Sequence, residues 1–442
     1  MQGFRMNRSF PAQRADSIPR SVSPSRYRMV YRLLILCGLL ALGLEPSHGQ
    51  EATRLSLAGA AAAEANHQAA ATIGYYNLRL GDLALRFTSG TGVAYNDNIH
   101  LSSSHPEGDV ILTPNLNMAI HLPVTQNNSL DLTVGAGYSI YTTHSDMNQF
   151  FINPGSGLFY NIYVGDFVIN LHERVSITEN GYQNPTVNGG GNNASLNNTV
   201  GVGVTWDLNQ VVLSAGYDHG NYMSLGSGLR APDSATDNLF LSAGVHVRPE
   251  LTVGVEAGGS SVTYSQSGGT AYPDTKQWSV GGFGRWQVSQ YINTELHAGY
   301  TELLPGNTTS TNLSTAPSGG LYFGFSLSHR VNEWLDYTFS ADRSQDLQNY
   351  GQPYTTDTVR LTPNWKFIHD YTFSTPFWWT HGTQFYFQAN TYDQYGGGLN
   401  VGRQITEKLS SSLSYQYIQE TSDQAGLNYT VNIISLNFAY RF

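Results

Sequence analysis

Long runs of strictly alternating polar and apolar residues constrain this chain more than any other feature. SLDLTVGAGYSIY, TVGVGVTWDL, QVVLSAGYDH, NLFLSAGVHV, LTVGVEAGGSS, YINTELHAGY, GLYFGFSLSH and KLSSSLSYQY each hold that period for about ten positions or more. A period of two places successive side chains on opposite faces of a strand, so each segment meets two different environments. Ten residues is also the length a tilted strand needs to cross a bilayer. The chain ends in the same way: in SLNFAYRF the residues Ile434, Leu436, Phe438, Tyr440 and Phe442 make one wholly apolar face. A loose strand of this kind would fray or aggregate in water, so its edge must be paired and its apolar face must have a non-aqueous solvent.

The connections between these segments fall into two kinds. Short ones share a pattern: VSQYI at Val288, VNEWL at Val331, IHDYT at Ile368 and ITEKL at Ile405, with looser matches VRPEL at Val247 and LNQVV at Leu208. They recur about every 40 residues, the length of one hairpin plus one long loop. Between them lie long polar stretches such as ENGYQNPTVNGGGNNASLNN and LLPGNTTSTNLSTAPSGG. Turns short on one side and loops long on the other match the periplasmic and extracellular ends of an outer-membrane barrel. The expected fold is all-β: a transmembrane antiparallel up-and-down β-barrel of about 18 strands, with 16 as the other count. The two counts differ over Tyr371 to Tyr392, which alternates poorly and contains Pro376. A barrel of that size encloses water rather than a packed core.

Composition agrees. Charged residues make up 12% of the 442, about half the share in soluble domains, yet mean hydropathy is −0.28 because the two faces cancel. The one helical apolar run, LLILCGLLALGL, is too short to span a bilayer. With Arg28 and Arg32 before it and SHGQ after it, it reads as a secretory signal peptide over residues 1–49, possible initiation at Met29 included. Residues 50–78 form an Ala-rich periplasmic segment and residues 79–442 the barrel. Loss of residues 1–49 removes seven Arg and two acids, leaving 15 basic against 30 acidic residues, and takes away the only cysteine, Cys37. The exported chain then has no thiol chemistry, and its acidity argues against nucleic acid.

Charge fixes which face meets lipid. Arg86, Arg174, Glu256, Arg285, Glu295, His297, Asp336, Asp342, Arg360 and Lys366 lie on the parity opposite the aliphatic residues. With Arg or Lys at mid-bilayer costing about 2–4 kcal/mol each, the reversed register would cost on the order of 10 kcal/mol. These residues are therefore expected in the lumen. Two arrangements are open: mutual neutralisation along the wall, or basic residues (Arg86, Arg285, Arg360, Lys366) facing acids (Glu295, Asp336, Asp342) to make a transverse, charge-selecting field. Glu173 breaks the parity, which suggests a bulge or a shift of register. Trp206, Trp286, Tyr291, Trp334, Trp365, Phe367 and Tyr440 crowd the turn ends as an interfacial girdle would. Phe438, Tyr440 and Phe442 are expected to serve as the C-terminal signal to outer-membrane assembly machinery.

The segment GTGVAYNDNIHLS (Gly90 to Ser102), followed by ILTPNLNMAIHLP and SLDLTVGAGYSIY, resembles the start of the barrel in the beta-barrel porin 2 family of outer-membrane proteins. The likeness rests on Tyr95, Asp97 and Asn98 at the end of the first strand and on the Thr113–Pro114 pair in the second, and the repeated hairpins extend it over roughly residues 75 to 442. The resemblance implies a pore, with some members associated with exopolysaccharide export, and brings no catalytic residues.

No GxxxxGK[ST], HExxH or GxSxG motif occurs. His172, His246 and His297 are expected as solvated lumen histidines, so neither a catalytic nor a metal residue is assigned and no cofactor is expected. The functional expectation is a Gram-negative outer-membrane channel for passive diffusion of small hydrophilic solutes. The alternatives are a partner in exopolysaccharide export, with a wide lumen, and a structural or surface-display barrel, with a closed one. Expected partners are outer-membrane lipid, the assembly machinery, and small solutes or polysaccharide.

Overall fold

The computed structural model describes residues 76–178, 194–225, 232–265, 274–305, 319–347, 353–366, 368, 370–386 and 388–442. The signal-peptide reading and nearly all of the Ala-rich segment lie outside the described residues, as do Phe367 and most of the loop at 180–198.

The described residues form a single antiparallel sheet of 21 strands. In order these are β1 (Leu78–Leu80), β2 (Leu83–Asn96), β3 (Asp109–Pro123), β4 (Ser129–Tyr141), β5 (Gln149–Ile152), β6 (Gly157–Val164), β7 (Phe167–Thr178), β8 (Ser195–Asp207), β9 (Val211–Ser224), β10 (Ser234–Arg248) and β11 (Leu251–Tyr264). Then follow β12 (Thr275–Ser289), β13 (Ile292–Pro305), β14 (Gly319–Arg330), β15 (Leu335–Leu347), β16 (Pro353–Trp365), β17 (Tyr371–Ser374), β18 (Phe377–Tyr386), β19 (Gln388–Gln404), β20 (Leu409–Ser422) and β21 (Tyr429–Arg441). β1 is a short hairpin partner of β2. β5 and β6 together make one stave between β4 and β7, and β17 and β18 make another between β16 and β19. The result is an 18-stave barrel.

Closure comes from β2 against β21, in continuous register from Thr88↔Arg441 to Asn96↔Ile433. From Ile433 to Arg441 the terminal strand is thereby paired on its β2 side as well as with β20, as a lipid environment requires. The poorly alternating Tyr371–Tyr392 region holds the start of β19 and, before it, a stave (β17 and β18) broken at Thr375 and Pro376, where the missing proline N–H interrupts the ladder. The gap is bridged by Thr375 N–H to Pro363 O (3.1 Å) and Gly398 N–H to Pro376 O (2.9 Å). The six short connections read from sequence all fall between consecutive staves at one rim, here the turn rim; the opposite end is the loop rim.

Outward side chains define a belt. From Trp206 to Asn198, Val245 to Asp237, Leu335 to Arg343, Trp365 to Asp357 and Tyr440 to Asn432, each stave shows three apolar residues between a position at the turn rim and a polar one eight residues away. Eight residues at about 3.3 Å each, tilted by about 40°, span about 20 Å along the barrel axis. That is close to the apolar height of known membrane barrels. Trp206, Trp286 and Trp334 stand exposed at the turn rim, and Phe167 stacks on Trp206 at 5.0 Å between centroids.

At the loop-rim edge of this belt the outward polar groups pair with one another. His219 Nδ1 lies 2.8 Å from Asp237, to which the Tyr217 hydroxyl also donates at 2.6 Å. Arg343 Nε sits 3.4 Å from Asp357, and His381 Nδ1 3.0 Å from Asp393. Glu173 belongs to this set. The β7–β8 register runs unbroken from Phe167↔Trp206 to Thr178↔Ser195, so the expected bulge or slip is absent, and Glu173 faces outward to accept a 3.2 Å hydrogen bond from Asn198 Nδ2.

Candidate functional site: the lumen and its mouth

By the register of the staves, the expected charged residues project inward: Arg86 on β2, Arg174 on β7, Glu256 on β11, Arg285 on β12, Glu295 on β13, Asp336 and Asp342 on β15, Arg360 on β16, and Lys366 just past it. Their grouping differs from a ring of bases opposing a ring of acids. Arg285 and Glu295 are direct cross-strand neighbours, with Nε to Oε1 at 2.6 Å. Glu295 then meets His297 Nε2 at 3.0 Å, His297 Nδ1 meets Glu256 at 3.0 Å, and the Tyr322 hydroxyl donates to Glu256 at 2.9 Å. One polar chain thus runs around the wall from β11 to β14.

A second chain runs on β6, β7 and β9. Asn170 donates to Asn161 at 2.6 Å, while His172 bridges Asn170 (2.8 Å) and Asp218 (2.8 Å) beneath the stacked ring of Phe159. Arg174 approaches Asp218 at 3.8 Å. Asp336 accepts from Asn364 at 2.9 Å, and Arg360 lies over the Trp378 ring at 6.0 Å from its centroid. Arg86 sits near Arg441, whose cross-strand partner is Thr88.

Sequence reasoning singled out neither Asp218 nor Glu420. Both lie on inward parity, so the alternation carried the signal. Glu420 is fully buried and accepts from Gln394 Nε2 (3.2 Å) and the Tyr429 hydroxyl (3.0 Å).

Glycines on the inner wall make room for flat aromatic rings. The Trp378 ring lies directly on Gly396, and the Tyr322 ring lies across Gly299; a Cβ at either glycine would collide with the ring. The rings therefore lie against the wall instead of filling the lumen.

The mouth is shaped by the connection 97–108. Leu101, in the left-handed region at φ 52°, packs against the inward residues Ile418, Tyr429 and Val431, all nearly inaccessible. Asn98 holds the turn, donating to Ser102 O (2.9 Å) and Thr430 O (3.0 Å) and accepting from Ser102 N–H. Asp97 accepts from the backbone and side-chain amides of Asn432, each at 2.7 Å. Of the Tyr95–Asp97–Asn98 element noted in the sequence, Asp97 and Asn98 are thus the clamp that turns this connection inward onto the closing strand, whereas Tyr95 stands exposed on the outer face.

Below the clamp, one cavity of about 980 Å³ is lined near the loop rim by Asn96, Leu101 and Met147 and near the turn rim by Lys366, Asp370 and Gln404. Asn, Ser and Thr side chains line much of the wall between.

Fold and site define a class: an 18-stave transmembrane β-barrel with a polar-lined interior cavity and an inward-folded connection at one mouth. Among solved structures the chain is similar to OccAB2 of Acinetobacter baumannii, with TM-score 0.46, 10% identity, and coverage of 82% of this chain and 98% of that one. It is also similar to OccK2 (OpdF) of Pseudomonas aeruginosa in complex with glucuronate, with TM-score 0.48, 10% identity and coverage of 82% and 99%. OpdK of Pseudomonas aeruginosa with vanillate has TM-score 0.45, 7% identity and coverage of 81% and 99%. No family model and no curated protein sequence matches.

Proposed function

We propose that the protein is a porin-like channel of the Gram-negative outer membrane that passes small hydrophilic solutes by passive diffusion, with the turn rim periplasmic and the loop rim extracellular. The observation that carries this reading is a cavity lined from Asn96 and Leu101 near one mouth to Lys366 and Gln404 near the other. A closed structural barrel would fill that space. Polysaccharide export calls for a wide lumen, and the inward clamp of 97–108 supports the small-solute reading over it. In this reading the lumen residues Arg86, Arg174, Glu256, Arg285, Glu295, Asp336, Asp342, Arg360 and Lys366 tune ion preference from largely neutralised wall chains, so selectivity is modest. Phe438, Tyr440 and Phe442 act as the recognition element for assembly machinery.

The test is single-channel conductance of the refolded mature chain in planar bilayers, with selectivity from reversal potentials. Steady ohmic steps support the channel. Silence from protein shown to be folded and inserted refutes it.

A further inference from the structure

We infer that His100, Glu107 and His144 form a binding site for one divalent transition-metal ion, of the zinc or copper type, at the loop-rim mouth of the barrel. The site is independent of the wall chains that tune the lumen. His100 and Glu107 lie on the connection 97–108, and His144 lies on 142–148, the next connection at the same rim. A backbone hydrogen bond from Ile99 N–H to Glu107 O at 2.9 Å closes the first connection so that its histidine and carboxylate face each other.

The donor atoms are spaced for one ion. His144 Nε2 lies 3.2 Å and His100 Nε2 3.6 Å from Glu107 Oε2, and all three donors fall within 4.8 Å of one another. For metal–ligand bonds of about 2.0–2.2 Å in a tetrahedron, the edge between two ligand atoms is about 3.3–3.6 Å. Two of the three edges already have nearly that length. The His100 and His144 rings meet edge to face at 5.6 Å between centroids.

The second observation lies behind His144. Its Nδ1 is 2.9 Å from Asp109 Oδ2, and the Asp109 side chain is fully inaccessible. Asp109 is itself held by the Thr142 hydroxyl (2.6 Å) and by the backbone N–H groups of Thr142 (3.2 Å), Thr143 (3.1 Å) and His144 (2.9 Å). A carboxylate on Nδ1 fixes that nitrogen as the donor and leaves the Nε2 lone pair pointing at Glu107. This carboxylate–histidine arrangement is the outer support that metal-binding imidazoles use.

Two imidazoles and one carboxylate suit zinc, copper or nickel; calcium and magnesium take oxygen ligands. The three side chains are 25–57% exposed, so solvent reaches the site and a water molecule can complete four-coordination. A bound ion would cross-link the connection that carries Leu101 to its neighbour and so brace the constriction.

The test uses the full mature chain, refolded and stripped with a chelator. Isothermal titration with zinc should give one saturable site per barrel, and the copper(II) form should show electron paramagnetic resonance coupling to two nitrogens. His100→Gln or His144→Gln alone should lower zinc affinity at least tenfold and leave a single coupled nitrogen. Asp109→Asn should weaken binding 10- to 100-fold. Binding unchanged in the His100→Gln/His144→Gln double variant, or no saturable zinc binding by wild-type barrel of normal conductance, overturns the inference. Conductance of the same samples separates failure of the metal site from failure of the channel reading. Glu107, the most exposed of the three, supplies a variant that does not threaten folding: Glu107→Gln should also lose at least tenfold in affinity, and unchanged affinity there counts against the site.

Discussion

Placing arginine at three nearby positions tests the assignment of lipid, interface and lumen directly. Leu241 on β10 faces outward and is half exposed. It lies four residues from Asp237, whose carboxylate marks the polar edge of the belt. Four residues along a strand tilted by about 40° put Leu241 about 10 Å below that edge, near the middle of a belt about 20 Å tall. Leu241→Arg should therefore cost about 2–4 kcal/mol of folding stability in lipid. Ser261, paired with Asp237 in the β10–β11 ladder, faces outward at the edge itself, and Ser261→Arg should cost about 0–1 kcal/mol. Ser242, adjacent to Leu241 but inward and opposite Glu256, should tolerate arginine without a transfer cost. The assay is denaturant unfolding of barrels refolded into lipid vesicles, read by tryptophan fluorescence. If Leu241→Arg costs no more than Ser261→Arg, or if Ser242→Arg costs as much as Leu241→Arg, the face assignment is wrong.

Arg285→Glu removes the cation that neutralises Glu295 and adds an anion beside it, so reversal potentials should move toward cation preference; a shift toward anions, or none, contradicts placement of that chain on the conducting wall. Leu101→Ser gives up the apolar contacts with Ile418, Tyr429 and Val431, a loss of about 2–4 kcal/mol against which the left-handed backbone at residue 101 no longer holds, so the connection should release and single-channel conductance should rise. Equal conductance would mean that the clamp does not set the constriction. Deleting Phe442, whose ring packs edge to face on Tyr440 at 5.4 Å, should leave refolding in vitro nearly intact while lowering the inserted fraction in cells, measured as heat-modifiable barrel in outer-membrane extracts. Normal insertion would reject the assembly role.

The limits of sequence legibility follow from what each interaction depends on. The barrel could be read because its determinant is local: an alternation of two faces, restated stave by stave, with turns such as Val331–Trp334 and Ile405–Lys408 returning at one rim. Inward parity of Arg285 and Glu295 followed from the same alternation. Their union at 2.6 Å did not, because whether two inward charges oppose each other across the lumen or touch along the wall depends on the cross-strand register, and that is fixed by the ladder and not by either segment alone. Glu173 exposes the complementary weakness. Parity treated it as an error, because a binary lipid-or-water reading has no third environment. The outward polar edge shared by Asn198, His219, Asp237, Arg343 and Asp357 supplies one, and a carboxylate there is at its proper level. The mouth was the least legible part. Leu101 joins Val431 across more than 300 residues, and His144 reaches Glu107 because the β3–β4 ladder, paired at Ile111↔Tyr141, and the bonds of Asp109 to Thr142 and His144 set the two connections side by side. Such contacts have no period and no spacing rule. They are products of the closed barrel, which is why the residues that shape the passage at its mouth emerge only once the fold is complete.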